Sequence, residues 1–276
     1  MYVIKTTGER EEFDPQKIKG TCLRAGASEK LANKIVEQVK KKVYPGISTR
    51  EILKLTLELL HKEKPFVAAR YDLKGSIFRL GPAGFAFEHL VGEILGRYGY
   101  KIKIESIVRG ACVSHEIDVV AEKKRKTYMI ECKYHNIPGI YTGLREVLYT
   151  YARFLDLQDG HKKRLCQKFH VPWLICNTKF SDEAIKYAKC RKIMLTGWRY
   201  PGNKGLERLV EDKKLYPVTM LRTLDRDTRD RLASMNLILL KDLLETDIKE
   251  LHKITDIKIR KLNSLIAEAK GIYKLR

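Results

Sequence analysis

The stretch that most restricts the fold covers residues 114–135, SHEIDVVAEKKRKTYMIECKYH. Two apolar runs, HEIDVVAE and TYMIECKY, are separated by the consecutive cations Lys123, Lys124, Arg125 and Lys126. Short runs rich in Val, Ile and Tyr, interrupted by a charged turn, predict two antiparallel strands of one hairpin. Side chains alternate along a strand, so Glu131 and Lys133 share a face while Cys132 points the other way. A register that sets Asp118 opposite them brings two carboxylates and an ammonium together. Ile117, Val119, Val120, Met129 and Ile130 flank these charges. The hairpin is therefore predicted to be internal, where a charge is costly unless it is used or paired.

The surrounding pattern predicts an α/β layer. A helix over 85–98 carries Phe87, Leu90, Val91, Ile94, Leu95 and Tyr98 on one side, with Glu88 bordering that stripe. KIKIESIV precedes the hairpin as a further strand. A helix over 144–157, a buried strand at Val171–Cys176, a helix capped by Ser181 and a strand over 192–198 follow it. Upstream, VIKTTGEREEF reads as a small hairpin turning at Thr7-Gly8. Helices over 15–25, 28–43 and 49–61 come next, started by Asp14-Pro15, Ser28 and Thr49, and a fourth begins at Phe66. GPAG at 81–84 and YPGNKG at 200–205 punctuate the chain, and beyond Leu206 it is helical and charged. The expected division is 1–80, 81–204 and 205–276, with no solenoid repeat.

Composition limits the partners. The chain of 276 residues holds 55 Lys+Arg against 34 Asp+Glu, a net charge of +21, which asks for a polyanion, nucleic acid foremost. Thermophilic surface chemistry is the other source of such an excess. Six cysteines stand singly with no CxxC pair, which argues against a disulfide framework or a structural zinc site. No apolar run approaches a membrane span and MYVIKTTGER lacks a signal-peptide core, so a cytoplasmic location and no membrane partner are expected.

Two nearby carboxylates repel unless a cation sits between them, and oxygen ligands select Mg²⁺ or Mn²⁺. Such a site suits phosphodiester hydrolysis, with a lysine orienting water or offsetting charge. A surface hairpin with incidental charges gives the same D…ExK spacing, and the residues alone leave both readings open. FEHLVGEILGRYGY, HEIDVV and YMIECKYH together resemble the Mrr-like restriction endonuclease branch of the PD-(D/E)XK nuclease superfamily, over residues 85–201. The resemblance implies an α/β/α mixed sheet, Glu88 as a helix carboxylate, Asp118 and Glu131 as further metal ligands, and Lys133 as the catalytic lysine. Many relatives place a glutamine early in the helix after ExK. Here Gln158 falls late and that role stays unassigned. His115 reads as a local hydrogen-bonding partner rather than a base.

Lys5 on the first hairpin and Lys17 in the first helix could both reach a phosphate, or be ordinary surface lysines. No GK[ST] follows a glycine-rich turn, so Walker-type ATP hydrolysis is not expected. VIK-x-x-G-x-x-E-x-F-D-x-x-KI, ISTREIL and AARY resemble the ATP-cone domain over residues 2–78. That resemblance implies a mostly helical module with a small β-hairpin, in which Lys5, Glu11, Lys17 and Thr49 contact ATP or dATP as an effector. The family pattern has Lys-Arg where this chain has Lys5-Thr6, which removes a bidentate phosphate fork. The all-α stretch over 239–269 resembles a helix-hairpin-helix segment, with Asp256 where a glycine is usual; a plain helical interaction domain fits it equally. The expectation is a Mg²⁺-dependent endodeoxyribonuclease acting on double-stranded DNA, regulated by a nucleotide and acting as a homodimer. Its alternatives are a nucleotide-responsive DNA-binding protein with an idle nuclease fold, and a junction or RNA nuclease.

Overall fold

The computed structural model describes residues 1–81 and 84–274. GPAG therefore includes two positions, Pro82 and Ala83, that lie outside the described residues. Strands β1 (Tyr2–Ile4) and β2 (Arg10–Glu12) pair antiparallel with Val3 opposite Glu11. Helices α1 (Pro15–Arg24), α2 (Glu29–Lys40) and α3 (Thr49–Glu63) follow. Asp14 and Ser28 cap the first two through their side chains. The third is capped one residue before the expected Thr49: Ser48 forms a reciprocal capping box with Glu51. The expected fourth helix is two, α4 (Pro65–Tyr71) and α5 (Leu73–Phe78). They divide at Asp72, whose carboxylate lies over Gly75 and whose carbonyl accepts from Ser76 N at 2.9 Å.

Helix α6 (Phe85–Arg97) buries Phe87, Leu90, Val91, Ile94 and Leu95, the stripe its periodicity predicts. Strands β3 (Lys101–Arg109), β4 (Ser114–Lys123) and β5 (Lys126–Lys133) form an antiparallel meander. After a two-residue strand β6 (Tyr141–Thr142), helix α7 (Leu144–Lys162) crosses to β7 (Val171–Cys176), which runs parallel to β5. Strand β8 (Lys179–Phe180) pairs with β6, and α8 (Asp182–Arg191), capped by Ser181, leads to β9 (Met194–Thr196), parallel to β7. The main sheet has the order β3-β4-β5-β7-β9, a mixed five-stranded sheet. Helix α7 covers one face, where Leu157 joins Ile117, Val120 and Met129 in a buried cluster. Gly160 is required where α7 meets the β3–β4 loop: a Cβ there would lie 2.9 Å from Gly110 backbone. Helix α9 (Leu206–Lys213) closes this part, with Tyr98 donating to Leu209 O at 3.3 Å.

Helices α10 (Arg226–Ser234), α11 (Leu240–Glu245), α12 (Ile248–Thr255) and α13 (Ile259–Lys274) complete the chain. The structure has two compact units: Phe78–Leu215, and Met1–Ile77 together with Tyr216–Arg276. The segments expected as separate first and third domains thus share one unit. The ring of Phe66 on α4 packs where a Cβ at Gly271 would come within 2.1 Å, and Thr219 Oγ1 donates to Ser76 O at 2.6 Å. Asp256, between α12 and α13, takes φ 55°, a left-handed turn of the kind that favours glycine. No helix among the described residues is long and apolar enough to cross a membrane.

Candidate active site

The β4–β5 ladder pairs Val119 with Ile130, and the next step of that register faces Asp118 with Glu131. Asp118 Oδ2 accepts from the amide of Cys132 at 2.6 Å, which fixes the carboxylate at the point where the two strands part. On its other side Asp118 stands level with Glu105, at a gap in the β3–β4 pairing between Ile104 and Ser106. Glu105 has φ 50° there, a left-handed residue inside a strand, and such strain collects at functional positions. Lys133 ends β5, two residues beyond Glu131 and on the same side by strand alternation.

Burial makes these carboxylates hard to ionise. Glu88 on α6 is pushed up to about 7, first by desolvation, then by the charges of Asp118, Glu105 and Glu116. Glu131 is also raised, by burial and then by Asp118, while Arg153 and Lys133 pull it down. Asp118 is raised by burial, opposed by the Cys132 amide and by Arg153. Glu88, Asp118 and Glu131 therefore feel one another's charge, although among the described residues no three His, Cys, Asp or Glu side chains are arranged to hold a metal ion. The donor set still fits a hard divalent cation. Mg²⁺ takes one or two carboxylates and fills its shell with water and phosphate oxygens, and Asp118 and Glu131 are such a pair. A cation between them would relieve the repulsion by which Asp118 raises Glu131.

Sequence reasoning missed Arg153. Its guanidinium Nη1 donates to Glu131 Oε2, the side chain is 9% exposed, and it stacks over the Tyr149 ring at 5.2 Å. Its Nε is buried without a partner among the described residues. The signal was present: Val147, Thr150, Arg153, Leu157 and Gly160 are the buried stripe of α7, and an arginine inside such a stripe needs an anion. Gln158, late in that helix, donates to Phe169 O. His115 binds Asp156 Oδ2 through Nε2 at 2.8 Å, the local partnership its position suggested. Asp156 also accepts from the amides of Cys112 at 2.8 Å and Val113 at 3.3 Å.

Near the N-terminus, Lys5, Glu11 and Lys17 do meet. Lys5 Nζ lies 3.6 Å from Glu11 Oε2 and 3.2 Å from Glu9 Oε2, and Lys17 Nζ donates to Glu11 Oε1. Glu11 is held below the usual carboxylate range, chiefly by the Lys17 hydrogen bond. A bridge between Ile4 and Ser48 sets the start of α3, with Thr49 as its first residue, beside this hairpin.

Three family models match in succession: the ATP cone domain over residues 1–73, the restriction endonuclease domain over 82–197, and the AF1548-like C-terminal domain over 216–273. An uncharacterized protein of Archaeoglobus fulgidus is 46% identical over 182 residues, which cover 66% of this chain and 99% of that protein. A second uncharacterized protein of the same organism is 54% identical over 41 residues, 15% of this chain and 87% of its own length. The crystal structure of protein of unknown function AF1548 superposes with a TM-score of 0.61 at 45% identity, covering 69% of this chain and 98% of that one. The central mixed sheet is a restriction-endonuclease-like α/β fold, and the chain belongs to the AF1548-like family, in which an ATP cone here precedes a restriction endonuclease domain and the family's C-terminal domain.

Proposed function

We propose that the protein is a Mg²⁺- or Mn²⁺-dependent endonuclease of double-stranded DNA, regulated by ATP or dATP bound at its N-terminal ATP cone. The carrying observation is the juxtaposition of Asp118 and Glu131 at the parting of β4 and β5, with Lys133 next along the strand. Asp118 and Glu131 are the residues that would hold the metal, with Glu88 contributing the third carboxylate charge. When bound, the ion supplies charge neutralisation at the scissile phosphate and acidifies a water ligand. Lys133 carries its ammonium into the same place, where it orients the attacking water and offsets charge on the phosphate. Arg153 holds the Glu131 carboxylate in position from α7 and compensates its charge inside the fold. Lys5, Lys17 and Thr49 would receive the nucleotide phosphates, with Glu11 exchanging its lysine partners for them, and the effector acts through differential binding rather than consumption. Functionally the chain then divides into a nucleotide-binding part at 1–80, a nuclease at 81–204 and a helical part at 205–276.

A second reading, a nucleotide-responsive DNA-binding protein with an idle nuclease fold, draws support from the Arg153–Glu131 pair, which already satisfies one carboxylate. Incubation with linear, supercoiled, single-stranded and branched DNA, with and without Mg²⁺ and ATP, separates the readings. Metal-dependent nicking or linearisation of the supercoiled duplex is expected. Salt-sensitive binding without cleavage under any divalent metal would replace the first reading by the second, and cleavage confined to branched DNA would make the enzyme a junction nuclease.

A further inference from the structure

The cations of the KKRK turn (Lys123–Lys126) and of HKKR (His161–Arg164) at the end of α7 lie away from Asp118 and Glu131. Strands β5, β7 and β9 are parallel, so the segments that precede them all reach the same end of the sheet. These are the β4–β5 turn, the stretch from Lys163 to His170, and the Arg191–Lys192 corner. Glu131 and Lys133 lie toward the other end of β5. Five residues of strand separate Lys126 from Glu131, a distance of about 17 Å at roughly 3.3 Å per residue.

The backbone at this end is unusual. Lys124 and Arg125 are the two central residues of a tight hairpin between the paired Lys123 and Lys126, with φ 49° and 61°. A two-residue turn with both φ values positive is the place for Asn-Gly, and bulky cations there are disfavoured. Arg164 after α7 (φ 60°) and Lys192 after α8 (φ 57°) occupy left-handed positions that glycine usually takes. Four cations thus hold glycine positions at one end of one sheet, so the side chain rather than ease of turning is what these positions keep. Among the described residues, Lys124, Arg125, Lys126, Lys163, Arg164 and Lys192 are exposed and have no carboxylate partner. On the flank, a cavity of about 450 Å³ has Lys101, Lys103, Arg109, Ser106 and the single carboxylate of Glu122 in its lining. Ser106 is 4% exposed, and its hydroxyl has no hydrogen-bond partner among the described residues.

We propose that this end of the nuclease sheet is a second nucleic-acid-binding surface, which grips the phosphate backbone of a duplex segment other than the one at the carboxylates. The inference rests on the nuclease reading for its choice of polyanion. Unpaired cations that outnumber the one neighbouring carboxylate, Glu122, suit a phosphate chain, and neutralised phosphates release counterions.

The test uses the full chain with K124N, R125G and R164G combined. Asn-Gly and Gly suit the three backbone positions, so the thermal midpoint is expected to hold or rise. Affinity for a duplex about three helical turns long, read by fluorescence anisotropy in EDTA, is expected to fall at least about tenfold. The slope of log affinity against log salt should become shallower by about 2 to 3. Asp118→Ala keeps the parent slope, and a parent that binds this way but never cuts would contradict the nuclease reading alone. The surface is overturned if the triple variant keeps the parent's affinity and slope. It is also overturned if affinity falls without a change in slope, if the parent binds no duplex, or if phosphatidylserine vesicles are bound in preference to DNA.

Discussion

Two clusters of lysine, arginine and glutamate in this chain have similar composition and opposite physics. In the first, Lys5, Glu11 and Lys17 lie on an exposed hairpin and helix, where water screens them. In the second, Glu88, Asp118, Glu131 and Arg153 are half-buried or buried between a sheet and its helices, and the carboxylates are forced upward toward neutrality. Exposed pairs can exchange partners with an incoming phosphate at little cost. Buried carboxylates keep an unmet demand for positive charge, which suits them to a metal and a reacting phosphate.

Breaking the buried pair should have the largest effect on stability. Arg153→Met leaves Glu131 without its compensating cation and is expected to destabilise the fold by about 3 kcal/mol in urea unfolding. Lys17→Met, the matching change in the exposed cluster, should cost below about 1 kcal/mol. A loss of similar size from both would erase the contrast. The same Lys17→Met is nevertheless expected to weaken ATP binding by about tenfold in calorimetry, the equivalent of about 1.4 kcal/mol. Unchanged ATP affinity would remove Lys17 from the nucleotide site.

A smaller effect sharpens the contrast through pH. Glu88 titrates near 7 in the folded chain against an ordinary 4.5, so the folded state holds this proton to higher pH than the unfolded chain does. Its contribution to stability is complete below the ordinary value and is lost as pH rises toward about 7. Glu88→Gln removes that loss. In EDTA at about pH 8 the variant should melt roughly 2 °C above the parent, and at about pH 5 the two should coincide. An equal shift at both pH values would mean that packing, not charge, explains the change.

Periodicity and turn chemistry made most of the local structure legible. The α6 stripe and the VPWLIC strand follow from their own apolar spacing, and the β4–β5 hairpin from two apolar runs around KKRK. Asp118, Glu131 and Lys133 were legible because charges inside strongly apolar strands stand out. Arg153 was overlooked although it falls on the stripe of Val147, Thr150, Leu157 and Gly160, because an arginine in a helix reads first as part of a solvated face. The cap of α3 fell on Ser48 rather than Thr49 because Glu51 three residues on completes the capping box. The union of Tyr216–Arg276 with Met1–Ile77 rests on contacts such as Thr219 with Ser76 and Phe66 with Gly271, which join residues too distant in sequence for any local pattern to register.

The most direct measurement is single-turnover cleavage of supercoiled duplex in Mg²⁺ by the full chain and by its Asp118→Ala and Lys133→Ala variants, each checked for folding by thermal melting. If these residues carry cleavage, both variants stay folded and lose at least about a hundredfold in rate. Variants that cut as fast as the parent would contradict that assignment.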